Sequence, residues 1–304
     1  MASSELAAGL VFLLQTGVGI LGNVSLLYLY IFAFSTKHSQ RPTDFILSHL
    51  MLANFLVLSS KGIHHTMAAF DLQYFLGDVE CKLSFYIHRV ARGVSLCTTC
   101  LLSVFQALTI NPRNSRWTKF KLKALKCVQP PCYICWILHF LVNTIVPLRV
   151  ISPKNTTNST INDFGLCSTG RSNSFVRSLY AVLFSFLDIL CLGLMAWASG
   201  SIVVLLQKHK QQVQYIRTGS PGASPETSAA HTVLLLASSF LSFYLLSSSL
   251  TLYMTYFGSS SRQLMNITTF LAACFPTLSP YVLIHCDARI YTNYLASGKT
   301  KTSH

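Results

Sequence analysis

Apolar residues fill long runs of this chain, and the charged residues gather between them. Several runs pass the length of about 18 residues that lets a helix cross a bilayer core of roughly 30 Å. The pattern predicts seven helices, over 6–34, 43–69, 80–110, 127–150, 178–206, 229–257 and 264–286. The expected fold is therefore all-α, one seven-transmembrane-helix domain over 1–304. The first run is about twice the length of a signal-peptide core and follows Glu5 instead of a basic stretch, so it is expected to stay as a membrane helix.

Charge then orients the bundle. Of 304 residues, 51% are apolar and 11% charged, with 23 Lys+Arg against 9 Asp+Glu and a net charge of +14. The basic residues crowd alternate loops: Lys37 and Arg41, then Arg113, Arg116, Lys119, Lys121, Lys123 and Lys126, then Lys208, Lys210 and Arg217. Glu5, Asp71, Asp78, Glu80 and Asp163 lie on the other side. Positive-inside bias puts the amino terminus extracellular and the carboxyl terminus cytoplasmic. The excess charge then faces anionic lipid, and no nucleic-acid footprint is expected.

Two features bear on this topology without using charge. Asn155 (with Thr157) and Asn158 (with Thr160) are glycosylation acceptors in the longest predicted outer loop. Of ten cysteines, only Cys81 and Cys167 fall plainly outside, and an oxidising compartment points to a disulfide between them. Cys97/Cys100 and Cys132/Cys135 have CxxC spacing. Within a helix that spacing puts two small polarizable side chains on one face, so neither a metal nor any other cofactor is expected.

Arg89 and Arg92 lie inside the third run, roughly 12 and 16 Å below Cys81. Arginine in hydrocarbon costs at least about 2.5 kcal/mol, so such residues face the bundle interior or water. Asp188 reaches a similar depth in the fifth helix, and an Arg92–Asp188 contact is geometrically open to the chain. Such a pair either holds two helices together or leaves an arginine for an anionic or strongly polar ligand; the arginines can also snorkel outward. Lys61, His64 and His65 either add positive potential to the same mouth or anchor at the headgroups.

Asn23, Asn54, Asn143 and the run "SSSLT" at 247–251 are polar groups for close helix contact. Pro276 and Pro280 predict a bent or locally unwound seventh helix. No internal repeat or paired interrupted helices speak for transport, and no HExxH or converging Ser/His/acid set speaks for catalysis. A receptor coupling an outer ligand to an inner partner fits best, with a transporter or a non-signalling scaffold as the alternatives.

The chain resembles the vomeronasal type 1 receptors, pheromone receptors among the G-protein-coupled receptors. The resemblance is carried by "YIHRVARGVSLCTTCLLSVFQALTINPRNSRWTKFK" (86–121), "GNVSLLY" (22–28), "RPTDFILSHLMLAN" (41–54) and "FPTLSPYVLI" (275–284). It implies a plasma-membrane chemosensory receptor for small, volatile or steroid-like molecules, signalling through an inhibitory-class heterotrimeric G protein. It also implies the Cys81–Cys167 disulfide and glycosylation at Asn155 and Asn158. The basic stretch holding Arg113, Arg116, Trp117 and Lys119 is the expected G-protein contact, unless it serves only as a lipid anchor. Where rhodopsin-like receptors carry Asp-Arg-Tyr this chain has "FQALTINPR", and Asn54 replaces the carboxylate of their second helix. Their activation switches therefore do not transfer residue by residue.

Overall fold

The computed structural model describes residues 3–35, 42–70, 78–110, 128–144, 147, 150–151, 163–164, 167–169, 174–216, 225–257 and 262–286. Among the described residues seven helices form a bundle. They are α1 (Ser3–Ser35), α2 (Pro42–Val57, a π-helical turn Leu58–Gly62, then Ile63–Ala69), α3 (Asp78–Ile110), α4 (Gln129–Asn143), α5 (Ser174–Ile216), α6 (Pro225–Phe257) and α7 (Arg262–Cys286). Six of them are long and apolar enough to cross a membrane. Proline opens α2 and α6, where its missing N–H would be unpaired anyway.

Two predicted ends differ from the observed ones by more than about a turn. Within the run 127–150 the helix α4 spans Gln129–Asn143, about 22 Å. Its last turn closes with the Thr144 N–H on the Leu141 carbonyl; Pro147 follows, and Val150–Ile151 is already a strand. The sequence stays mostly apolar past this point, so hydropathy alone does not mark the end of α4. At the other extreme α5 runs ten residues past the predicted end at 206, through "QKHKQQVQYI", because these are mostly good helix formers.

A small antiparallel sheet joins the α4–α5 connection. β1 (Val150–Ile151) and β2 (Asp163–Phe164) both pair with the central β3 (Cys167–Thr169), in register Val150 with Thr169 and Asp163 with Ser168. β1 packs against α3.

α3 is the middle of the bundle, packed on α2, α4, α5 and α6. Of its apolar stretch 67% is buried inside the protein, against 17% for α5. The main core joins Leu26, Leu50, Met51, Leu96, Leu102, Met195, Ile202 and Leu236. Leu21, Leu141, Ile189 and Trp197 point away from it and are exposed. An apolar outer surface over helices whose backbone bonds are internally satisfied suits lipid.

α1 and α7 meet through small residues. A Cβ on Gly19 would stand 2.9 Å from Thr277 Oγ1, and one on Gly22 would stand 2.9 Å from the Pro280 ring. The two backbones approach as close as they do because these side chains are missing. Of the bend or local unwinding expected at the prolines, α7 shows no break: it is continuous through Pro276 and Pro280. Pro280 has no N–H for the Pro276 carbonyl four residues earlier. Asn23 supplies the missing donor from α1, at 2.8 Å.

Nearby, Asn54 ties three helices. Its amide donates to Ser279 Oγ of α7 at 2.9 Å, and Ser95 Oγ of α3 donates to its Oδ1 at 2.7 Å. All three residues are buried. The π turn in α2 lies one turn on. Ser59 and Ser60 donate back to the carbonyls of Phe55 and Leu56, competing with the ladder where it widens. Gly62 ends the turn against Thr16 of α1, where a Cβ would meet the hydroxyl at 2.4 Å.

Candidate functional site

α3 carries His88, Arg92 and Ser95 at spacings of four and three, on one helix face. That face lines a cavity closed by Val57 of α2, Phe240, Phe243, Tyr244 and Ser247 of α6, and Leu271, Ala272, Phe275 and Pro276 of α7. Its free volume is about 30 Å³, room for a couple of water molecules. The walls are mostly aromatic or aliphatic, and among the described residues Arg92 is their one guanidinium.

Arg92 lays its guanidinium over the Tyr244 ring, with Cζ 4.8 Å from the centroid, inside cation–π range. The Tyr244 hydroxyl donates to Asp188 Oδ2 of α5. The Arg92–Asp188 contact open to the sequence is therefore indirect, with a phenol from α6 between the two charges. Tyr244 itself stacks on Phe240 at 5.7 Å, and Phe240 meets Phe275 of α7 edge-on at 4.6 Å. A continuous chain of contacts thus joins α5, α6, α3 and α7. Tyr244 has no part in the sequence reading; the signal is a phenol in an apolar run, a group that seeks a polar partner once buried.

Arg89 does not line this cavity. A three-residue step turns it roughly 60° around α3 from Arg92, and its side chain is exposed. It stands in the electrostatic field of Arg92, Asp188 and Tyr244. Lys61, carried by the π turn, is an electrostatic neighbour of Arg92 and His88. His64 Nδ1 lies 3.2 Å from Ser84 Oγ, which itself donates to the Ser60 carbonyl. His65 packs on Phe12. Among the described residues near Arg92, the cations Lys61 and Arg89 stand in its electrostatic field together with the carboxylate of Asp188.

The two CxxC pairs come closer to each other than their spacing implied. Cys97 Sγ lies 3.3 Å from His139 Nε2 of α4 and 3.5 Å from Cys191 Sγ of α5. Gly93 makes the room: a Cβ there would sit 2.2 Å from the His139 ring. Cys97, Cys100, Cys132, Cys135 and Cys191 are all free thiols. Among the described residues no group of three or more metal-ligating side chains is placed to hold an ion. The cluster packs α3 against α4 and α5.

Cys81 is fully buried and disulfide-bonded. Cys167 opens β3, whose partner strand β1 rests on α3. Asn155 and Asn158 lie outside the described residues, as do Arg113, Arg116, Trp117 and Lys119.

Seven packed helices with a lipid-compatible outer surface and a small, mostly apolar cavity beside the central helix are the build of a G-protein-coupled receptor. The comparisons with known proteins narrow that class. The vomeronasal organ pheromone receptor family matches residues 6–296, and the chain belongs to it. It is 48% identical to vomeronasal type-1 receptor 4 of Homo sapiens over 294 residues, covering 96% of this chain and 97% of that one. Vomeronasal type-1 receptor 1 of Gorilla gorilla gorilla is 45% identical over 99% of this chain and 86% of its own. The olfactory receptor class A-like protein 1 of Danio rerio is 32% identical over 93% and 90%. The protein is thus a multi-pass plasma-membrane chemosensory receptor of the G-protein-coupled class, and not an enzyme.

Proposed function

We propose that this receptor binds a small, pheromone-like organic molecule with an anionic or strongly accepting end, and that Arg92 meets that end in the cavity. The observation that carries this reading is the position of the Arg92 guanidinium, at the cavity wall and against an aromatic ring. A cation–π contact is worth about 0.5–2 kcal/mol, whereas a charge-assisted hydrogen bond to an anion is stronger. A ligand acceptor would therefore draw Arg92 from Tyr244. Tyr244 belongs to α6 and holds Asp188 of α5, so the change at Arg92 bears on the packing of both helices. A coupling of about 1–3 kcal/mol is enough for a receptor response. Arg89 and Asp188 complete the site, Arg89 drawing the anion to the mouth and Asp188 setting the Tyr244 hydroxyl.

The amino terminus faces outside in this reading, and the cavity opens toward the Cys81 end. Cys81 pairs with Cys167, holding the small sheet over α3, and Asn155 and Asn158 carry glycans. Inside, Arg113, Arg116, Trp117 and Lys119 contact an inhibitory-class heterotrimeric G protein.

The test uses cells displaying wild type, Arg92→Gln and Asp188→Asn at matched surface level. They are exposed to small carboxylates, sulfated steroid-like molecules and neutral analogues of each, with inhibition of cyclic AMP as readout. The reading requires a response to anions over their neutral analogues that Arg92→Gln lowers at least tenfold in potency. Equal responses to charged and neutral members would sink it.

A further inference from the structure

We infer that His88 is a second polar contact of the ligand, an acceptor, and that the ligand therefore carries a hydroxyl or N–H donor besides the end that meets Arg92. This rests on the ligand-binding reading above and adds a requirement to it.

His88 lines the cavity one helical turn from Arg92. Its Nδ1 is buried and has no hydrogen-bond partner. His88 and Val57 of α2 share this wall. A neutral imidazole has one N–H and one lone pair, and with the proton on Nε2 the lone pair stands at Nδ1. Leaving such a nitrogen unpaired in a dry site costs about 1–3 kcal/mol.

The cavity thus brings one guanidinium and one unpartnered imidazole nitrogen together among mostly apolar groups. A pair of waters fits the empty volume and can serve these groups in the resting state. A molecule bearing only an acceptor would displace the water and strand Nδ1. One bearing a hydroxyl about 5–6 Å from its anion, the spacing of side chains one turn apart, satisfies both His88 and Arg92.

The experiment uses the full-length receptor in lipid nanodiscs and three sets of medium-chain carboxylates. They carry a hydroxyl, a methoxy group or hydrogen about four to six carbons along the chain, a reach of about one helical turn. Affinities are measured for wild type, His88→Phe, His88→Gln and Arg92→Gln. In wild type the hydroxy acids bind about tenfold or more tighter than their methoxy and unsubstituted partners. His88→Phe abolishes that preference, so that all three sets bind with similar affinity, while His88→Gln, which keeps an acceptor, retains part of it. Should His88→Phe not fold, the wild-type preference and its fate in His88→Gln decide. Carboxylate binding that needs Arg92 but shows no hydroxyl preference overturns the role of His88 and leaves the ligand reading standing. No binding by any set overturns both.

Discussion

The side chain of Asn23 on α1 donates to the backbone carbonyl of Pro276 on α7, 2.8 Å away and 253 residues along the chain. The carbonyl lacks a ladder donor because Pro280 stands four residues later. Asn23→Leu should lower the stability of the purified receptor by about 1–2 kcal/mol, read as a fall in the thermal midpoint. Pro280→Ala restores an N–H to that carbonyl, so Asn23→Leu should cost less in its background. Additive losses in the double variant would show the two residues are not coupled this way.

Tyr244→Phe keeps the ring under Arg92 and removes the donor to Asp188. A carboxylate left short of a hydrogen bond in a half-buried site should cost about 1–3 kcal/mol of stability. Asp188→Asn should recover part of that loss in the Tyr244→Phe background, since it removes the charge that lacks its partner. Thermal unfolding of the four proteins measures it.

Glycines of α1 should behave oppositely. A Cβ at Gly17 meets nothing within 4 Å, whereas one at Gly22 meets Pro280 at 2.9 Å and the Tyr281 ring at 3.1 Å. Gly17→Ala should be neutral or stabilising by up to about 1 kcal/mol. Gly22→Ala should destabilise by about 1–3 kcal/mol by prising α1 from α7. Equal midpoints for the two variants would refute the close approach.

Gly93→Ala places a methyl inside the His139 ring, 2.2 Å from Nδ1. The imidazole must leave Cys97, so a loss of about 1–3 kcal/mol is expected. His139→Ala should relieve most of the clash, and the double variant should be more stable than Gly93→Ala alone. A pair of midpoints in the reverse order would mean the methyl is accommodated elsewhere.

What the sequence displayed well was anything costly to place in lipid. Arg92 and Asp188 stand out as charges inside apolar runs, and their similar depth follows from counting residues. Tyr244 does not stand out, because a tyrosine in a span carries no such cost until its partner is known. The link from Asn23 to Pro276 has the same character: each residue is visible as an oddity of its own helix, but the distance between them belongs to the packing of α1 on α7. Helix periodicity puts Cys97 and Cys100 on one face and leaves open which neighbour that face meets; the answer, Cys191 and His139, depends on the room at Gly93. The π turn leaves no trace in hydropathy, since Leu58–Gly62 reads as ordinary helix until the serines turn back on their own carbonyls. The end of α4 at Asn143 was obscured for the converse reason, because the residues beyond it stay mostly apolar.

The near-absence of empty space beside Arg92 has a consequence for how sensitive such a receptor can be. A molecule larger than two waters must pry the helices apart before it gains its contacts, and each 1.4 kcal/mol spent on that opening raises the concentration it needs tenfold. Detection threshold then becomes a mechanical property of the whole bundle. Relatives with identical cavity walls would differ in threshold according to how firmly distant seams, such as Asn23 on Pro276 or Gly22 on Pro280, are fastened. A loosened seam yields a keener but noisier sensor, a tight one a quiet sensor that answers only at high dose.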